Sequence, residues 1–246
     1  MRKKQKIIIV MPAYNAEKTL EKTFKDIPKG LADEIILVDD KSKDKTADVA
    51  KRLGLTVIRH HKNKGYGGNQ KTCYKTALKK RADIIIMLHP DYQYDATLLG
   101  ELIKPIQEGR YDIMFGSRIR TRKEALEGGM PPVKYILNRV LTPIENTILG
   151  VNFTEHLSGL RAYNRKVLEK LPFNLFSDDF VFDQQFMISA VSYGFRVSEI
   201  PVPVRYFSEA SSIQYVKGTK FLFQTFQALG EYILNSMSLI KSPLFK

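Results

Sequence analysis

One cysteine, Cys73, stands among 246 residues. No disulfide can form within the chain, and the sequence suits a reducing compartment. Long apolar runs are lacking as well. The run from Ile7 to Met11 meets Pro12 at once and is too brief for a secretory segment behind the basic start. Nothing reaches the length of a bilayer span, so a soluble, cytosolic protein is expected. No internal repeat and no low-complexity tract interrupts the chain. Acidic residues are scarce: 26 Asp and Glu face 39 Lys and Arg, a net charge of +13. That bias favours anionic partners such as nucleotides, phosphorylated lipids or acidic membrane surfaces. The lysines are spread along the chain instead of forming a basic stripe with interleaved aromatics, so nucleic acid is not expected as a partner. A solvated lysine-rich surface explains the excess equally well. With 43% hydrophobic residues, the chain has ample material for a core.

What is present is an alternation of apolar runs and helical patterns. Residues 6–11, 34–38, 56–59, 83–88 and 113–115 read as short buried strands. Between them, 17–27, 45–53, 70–80 and 96–108 read as helices, with Gly54 and Gly109 as stops. Residues 63–68 read as a loop. This order predicts an α/β fold, a parallel sheet with helices on both faces and ligands at the carboxyl ends of its strands. Past residue 117 helices dominate. Residues 128–132 read as a mobile loop, and 133–149 as a helix that Pro143 kinks or divides. In the tail, Phe223, Phe226, Ile233, Met237 and Ile240 recur near helical spacing beside Lys217 and Lys220. The stretch is too polar to span a bilayer. Such a helix lies on a membrane surface, or packs against the domain or a second subunit.

The polar loops carry the chemistry. After the first strand comes Pro12-Ala13-Tyr14-Asn15-Ala16-Glu17, and after the second Asp39-Asp40, then Ser42, Asp44 and Thr46 at alternate positions. The last three suit the cap and first turn of the next helix. Asp39 asks for another role: a carboxylate at a switch point accepts from a base N–H or from ribose hydroxyls. Gly65-Tyr66-Gly67-Gly68 is no dinucleotide fingerprint, because Gln70 takes the place of the third glycine and the run follows the third strand. A Walker loop is excluded, since no Gly-Lys-Ser/Thr occurs. The fourth strand runs into His89-Pro90-Asp91-Tyr92-Gln93-Tyr94-Asp95, where Asp95 suits a helix N-cap. Arg118, Arg161 and Arg205 follow, and guanidinium forks bind phosphate.

In order and spacing these motifs resemble those of family-2 glycosyltransferases over roughly residues 6–210, and in particular the dolichyl-phosphate-mannose-synthase-like branch. Asn63-Lys64-Gly65-Tyr66-Gly67 is similar to the family's Asn-x-Gly-x-Gly. The resemblance implies a GT-A fold, with a mostly parallel central sheet flanked by helices, in one domain over 1–212. A nucleotide-binding half would cover 1–116 and an acceptor half 117–212, followed by the helical tail 213–246. It implies inverting transfer of a hexosyl unit from GDP-mannose or a UDP-hexose to a polyprenyl phosphate or a cell-envelope glycan. Pro12, Ala13, Tyr14, Glu17 and Asp39 would hold the nucleoside, and Asn63, Lys64 and Gly65 would shape the pocket floor.

At the family's Asp-x-Asp, which binds a divalent cation on the donor diphosphate, His89 replaces the first Asp. Asp91 keeps the second place and Gln93 matches a further ligand position. Imidazole suits Mn²⁺ better than Mg²⁺, so Mg²⁺ or Mn²⁺ remains open, as does a site held by Asp91 alone. Arg118 would face the acceptor, and Arg205 with Ser211 and Ser212 would close over the donor. Arg161 would contact the acceptor or fix its helix. A hydroxyl nucleophile needs a carboxylate base, whereas a phosphate does not. The branch carries Glu where Gln185 stands, which leaves Asp183 as the candidate base or acceptor contact, with Asp178 and Asp179 as caps of its helix. The altered Asp-x-Asp and Gln185 keep open a second reading, a catalytically degenerate nucleotide-sugar-binding protein.

Overall fold

The computed structural model describes residues 4–203, 205–206 and 215–246, the side chains of 215–217 excepted. Strands β1 (Ile7–Ala13), β2 (Glu34–Asp39), β3 (Thr56–Arg59) and β4 (Ile84–Met87) lie parallel in the order β3-β2-β1-β4. β1 is buried throughout, and its side chains alternate between two cores. Ile8 and Val10 meet Ile36 and Ile85 on one face; Ile7 and Ile9 meet Leu37 and Ile86 on the other. A strand covered on both faces has no polar side to show, so it reads as a continuous apolar run. Helices α1 (Leu20–Lys25), α2 (Thr46–Arg52), α3 (Gly65–Lys79) and α4 (Leu99–Gln107) cover the sheet. Because β1 pairs with β2 on one side and β4 on the other, the strand order reverses there. The loops after β1, β2 and β4 converge above that switch point.

The second half departs from the expected run of helices. β5 (Ile113–Ser117) is followed by α5 (Arg122–Glu127), α6 (Pro132–Leu149), β6 (Arg161–Asn164), α7 (Arg165–Lys170), α8 (Phe182–Ser192) and β7 (Val197–Pro201). β6 enters antiparallel between β4 and β5, and β7 joins β5 in parallel, giving a seven-stranded sheet β3-β2-β1-β4-β6-β5-β7. β6 has too little apolar sequence to announce itself. Its strand state comes from partners on both sides, a tertiary effect. The loop expected over 63–68 gives way to α3 at Gly65, because the Asp40 carboxylate accepts from Lys64 N (2.8 Å) and Gly65 N (3.0 Å). Pro143 lies inside one continuous α6.

The tail forms α9 (Tyr215–Ser236), which packs on α8 and α6. Ala228, Leu229, Leu244 and Phe245 are buried in the main core, and Ser189 Oγ donates to Leu244 O (2.8 Å). No helix among the described residues is long and apolar enough to cross a membrane.

Candidate active site

The loops after β1 and β2 are laced together. Asn15 N, Ala16 N and Glu17 N donate to Ser42 Oγ (2.9 Å), Thr46 Oγ1 (2.7 Å) and Asp44 Oδ2 (3.0 Å). In return, Lys43 N and Lys45 N donate to Asn15 Oδ1 (2.8 Å) and Glu17 Oε2 (3.1 Å). Ser42, Asp44 and Thr46 thus serve the neighbouring loop more than the helix cap expected of them. Asp44 does accept from Thr46 N (3.0 Å), but Lys45 holds the N-cap of α2 without a side-chain cap. Glu17 is committed to this lacing. Pro12 and Ala13 end β1 buried, with Tyr14 exposed beside them.

The two adjacent acids divide the work. Asp40 is structural: His60 Nδ1 (2.6 Å), Lys64 N and Gly65 N all donate to it. Asp39 Oδ1 accepts from Ser42 N (3.0 Å). Its Oδ2 lies 3.0 Å from Arg59 Nε, with no hydrogen bond in line, and keeps room for a ring N–H or a hydroxyl. Asn63 Nδ2 donates to Asp40 O (3.0 Å), and Lys64 is exposed at the start of α3. Gly65 has φ +83°, and a Cβ there would come 2.7 Å from Asp178 O. That close approach excludes other residues.

The loop after β4 presents Asp91. Burial raises its pKa, partly offset by His89 and by Gln93 N, which donates to Oδ1 (3.2 Å). Burial lowers the pKa of His89 against the pull of Asp91 and Asp183, which favours the neutral imidazole. Its ring stacks on Tyr66 (centroids 5.4 Å apart), with Nε2 3.3 Å from Tyr66 Oη. Tyr66 Oη donates to Asp183 Oδ2 (2.6 Å), while Oδ1 accepts from Gln70 Nε2 (3.0 Å) and Arg161 Nη1 (3.3 Å). Asp183 is therefore joined to His89 through one tyrosine. Arg161, buried and held by Ser158 O (2.8 Å), anchors the start of α8. Gln185 points elsewhere, its Oε1 accepting from Ser177 N (2.7 Å). Asp178 and Asp179 do not cap α8 with their side chains; they pair with Lys71 and Lys220 (2.7 Å each).

Among the described residues, no three His, Cys, Asp or Glu groups converge to hold a metal. The buried Asp91, with Gln93 and His89 beside it, would hold a divalent ion only with further oxygens from a bound ligand. One or two carboxylates with substrate phosphates are a usual Mg²⁺ arrangement. Arg205 flanks this loop. Its N donates to Gln93 O (3.0 Å), its guanidinium lies 4.8 Å over the Tyr92 ring, and it pairs with Asp26 (3.3 Å) and Asp95 (3.6 Å). Ser211 and Ser212 lie outside the described residues.

Beside Asp183 opens a cavity of about 390 Å³, bounded by α6, α8 and α9. Met130, Leu137, Leu141, Leu157, Phe180 and Leu222 make most of its wall apolar, while Arg118, Lys134, Asn138, Asp183 and Gln184 supply the polar groups. Arg118 is clamped. Its Nε and Nη2 donate to Glu155 (3.1 and 2.9 Å), Nη2 also to Leu157 O (2.8 Å), and Nη1 to Tyr206 Oη (2.9 Å), leaving one Nη1 N–H without a partner among the described residues. Burial pushes Glu155 up, but the Arg118 charge and hydrogen bonds outweigh it and hold the carboxylate below its ordinary range.

Lys134 has no such clamp: its ammonium lies 5.4 Å over the Tyr206 ring, with no carboxylate partner among the described residues. Burial and Arg118 lower its pKa, while Asp91 pulls the other way. Lys134 and Glu155 were not among the sequence-level candidates. Lys134 had a signal, since with Leu137, Asn138 and Leu141 it falls on one face of α6; Glu155 had none.

The family model for glycosyl transferase family 2 matches residues 8–172. The chain is 34% identical to an uncharacterized protein of Methanocaldococcus jannaschii, over 90% of this chain and 91% of that one. It is 29% identical to the UDP-N-acetylglucosamine–dolichyl-phosphate N-acetylglucosaminyltransferase of Methanococcus voltae, over 89% and 94%. In fold it resembles glucosyl-3-phosphoglycerate synthase of Mycobacterium tuberculosis, solved with Mn²⁺, UDP and phosphoglyceric acid. That match has a TM-score of 0.72 at 18% identity and covers 93% of this chain and 78% of that one. Loops after β1, β2 and β4 that gather at one switch point, the matched model and these relatives agree: the chain belongs to glycosyltransferase family 2, with the GT-A fold.

Proposed function

We propose that the chain is an inverting transferase that moves a hexosyl unit, N-acetylhexosamine included, from a UDP-sugar to a polyprenyl phosphate. One observation carries the reading. Lys134, a cation without a carboxylate partner among the described residues, stands between the Asp91 loop and an apolar slot. A phosphate on a hydrocarbon chain matches both features; a free glycan would bring hydroxyls against Leu and Phe. The M. voltae relative, named for UDP-N-acetylglucosamine and dolichyl phosphate, supports donor and acceptor alike. The acceptor is also that of the mannose-synthase-like branch; the donor differs from GDP-mannose.

In this reading Asp39 Oδ2, with Pro12, Ala13 and Tyr14, holds the nucleoside, over a floor of Asn63, Lys64 and Gly65. Glu17 keeps its loop in place. Lys134 and the remaining Arg118 N–H hold the acceptor phosphate. A phosphate oxygen attacks the anomeric carbon opposite the diphosphate. The new C–O bond forms as the old one breaks, and UDP leaves with the electron pair. The nucleophile is already an anion, so no proton need be removed, and Asp183 acts by positioning Tyr66 and, through it, His89. A divalent ion at Asp91, Mg²⁺ or Mn²⁺, would neutralise charge on the leaving diphosphate. Arg205 supports that loop.

The test is thermal-shift titration with UDP-N-acetylglucosamine, UDP-glucose and GDP-mannose, each with Mg²⁺, Mn²⁺ or chelator, on the wild type and Asp91→Ala. Transfer of labelled sugar to polyprenyl phosphate follows. A metal-dependent rise in Tm with a UDP-sugar, lost in the variant, is expected, and so is label in the lipid phase. A shift with GDP-mannose alone would replace the donor. Donor binding without transfer to any lipid phosphate would favour the non-catalytic reading.

A further inference from the structure

We infer that α6 and α9 together form one face that docks on an anionic lipid bilayer, so that the acceptor reaches the pocket from the membrane and not from water. This inference rests on the lipid-phosphate reading and extends it from the pocket to the surface around its mouth.

On α6, Val133, Ile136, Leu137, Val140 and Ile144 are exposed, Ile136 by 59%. At 3.6 residues per turn they fall within an arc of about 100°. The buried residues Asn138, Leu141, Thr142, Glu145 and Leu149 occupy the adjoining face. On α9, with Met237 in the turn that continues it, Phe223, Phe226, Ile233, Leu234 and Met237 are exposed, Phe223 by 71%, and also share an arc of about 100°. Ala228 and Leu229 face inward. Both helices pack together and border the cavity. Val133 and Leu137 belong at once to the exposed stripe and to the cavity wall, so the apolar surface of α6 runs into the pocket. Isolated exposed apolar residues are ordinary, whereas two adjacent stripes continuous with a pocket call for an occupant.

Charge selects that occupant. Residues 215–246 carry four lysines against one glutamate, and α6 carries Lys134 and Arg139 against Glu145 alone. Glu145 is buried, and Glu231 accepts from Ser242 Oγ (2.5 Å). A second copy of a chain with net charge +13 would bring like charge to like. An anionic headgroup layer complements it, and amphipathic helices with basic flanks bind such layers by apolar insertion and attraction combined.

The test is flotation with vesicles of phosphatidylcholine, alone or mixed equally with phosphatidylglycerol, for the wild type, Ile136→Asp, Val140→Asp and Phe223→Asp. None of these positions lines the pocket, and circular dichroism checks the fold. Each protein is also assayed for transfer to water-dispersed farnesyl phosphate and to polyprenyl phosphate in vesicles. Wild-type flotation with the anionic vesicles, weakened by salt and reduced roughly tenfold in each variant, is expected. Transfer to farnesyl phosphate should be unchanged, while transfer in vesicles falls. Equal flotation of all four proteins, or none by the wild type, would overturn the docking face while active farnesyl transfer left the lipid-phosphate reading standing. So would light scattering that shows a dimer in the wild type and monomers in the variants, since the face would then meet a second copy. Flotation without farnesyl or polyprenyl transfer would sink the acceptor reading instead.

Discussion

The two sides of the proposed site, the donor side and the acceptor side of the reading above, are built differently. On the donor side, the ends of β1, β2 and β4 are set by short hydrogen bonds between side chains and main chain, such as Ala16 N to Thr46 Oγ1 and Gly65 N to Asp40. On the acceptor side the notable groups are buried charges. Among the described residues Arg118 is matched by Glu155, but Lys134 meets no carboxylate, and both amide atoms of Gln184 and both oxygens of Glu145 lack hydrogen-bond partners, whereas the donor side leaves only single oxygens of Asp39 and Asn69 unpaired. A side laced by its own backbone is formed before any ligand arrives. A side with unmatched polar groups pays for burial until a ligand or water meets them. The side proposed for the donor is therefore expected to be the more rigid, and the side proposed for the acceptor to gain order on binding.

The sharpest way to break this comparison is at Asp91, in the loop after β4. Asp91→Ala should lower kcat by about a thousandfold or more while leaving the melting temperature of the unliganded protein nearly unchanged. Turnover and thermal melts on one preparation check it. Removing one charge of the matched pair should instead cost stability: Glu155→Ala leaves Arg118 buried and uncompensated, at about 3–5 kcal/mol by urea denaturation.

Glu145→Gln should do the opposite. Burial raises the Glu145 pKa from 4.5 to about 8, against a smaller opposing pull from Arg161. Below pH 4.5 the carboxyl is protonated folded or unfolded and contributes nothing. Between pH 4.5 and 8 only the unfolded chain ionises, so wild-type stability is lost as pH rises and levels off above the folded pKa. The variant should be the more stable protein, by a margin that opens above pH 4.5 and approaches roughly 4 kcal/mol near pH 8. A constant margin across that range would mean that Glu145 does not titrate this way.

Lys134→Ala should raise KM for the lipid phosphate roughly 10–100-fold with the donor KM unaltered, as expected for the loss of a charged hydrogen bond. An equal rise for both substrates would move Lys134 to the donor side. Smallest is Thr46→Val, which removes one lace between the donor loops and should cost ~1 kcal/mol, with a modest loss of donor affinity.

Much of the donor side was legible because its signals are local. A buried parallel strand must be apolar throughout, and the loop after it must be polar, so 6–17 and 34–46 announce themselves. What local reading missed was the use made of the loop residues. Ser42, Asp44 and Thr46 look like a cap in sequence because the same hydroxyls and carboxylates satisfy any nearby N–H, and only the fold shows that the neighbouring loop's N–H groups are nearer. On the acceptor side the arginines were visible, but their partners were not. Glu155 is 37 residues from Arg118, and Asp183 is 117 residues from Tyr66.

By itself, the sequence determined the alternating α/β order, the family, and the residues at the ends of β1, β2 and β4, because strand burial and loop polarity are imposed residue by residue along the chain. The tertiary structure alone decided that β6 runs antiparallel between β4 and β5, that Arg118 is matched while Lys134 meets no carboxylate among the described residues, and that the tail helix joins α6 around the pocket mouth. Each of these depends on which distant segments meet, and contact across the fold is set by packing, which no short stretch of sequence encodes.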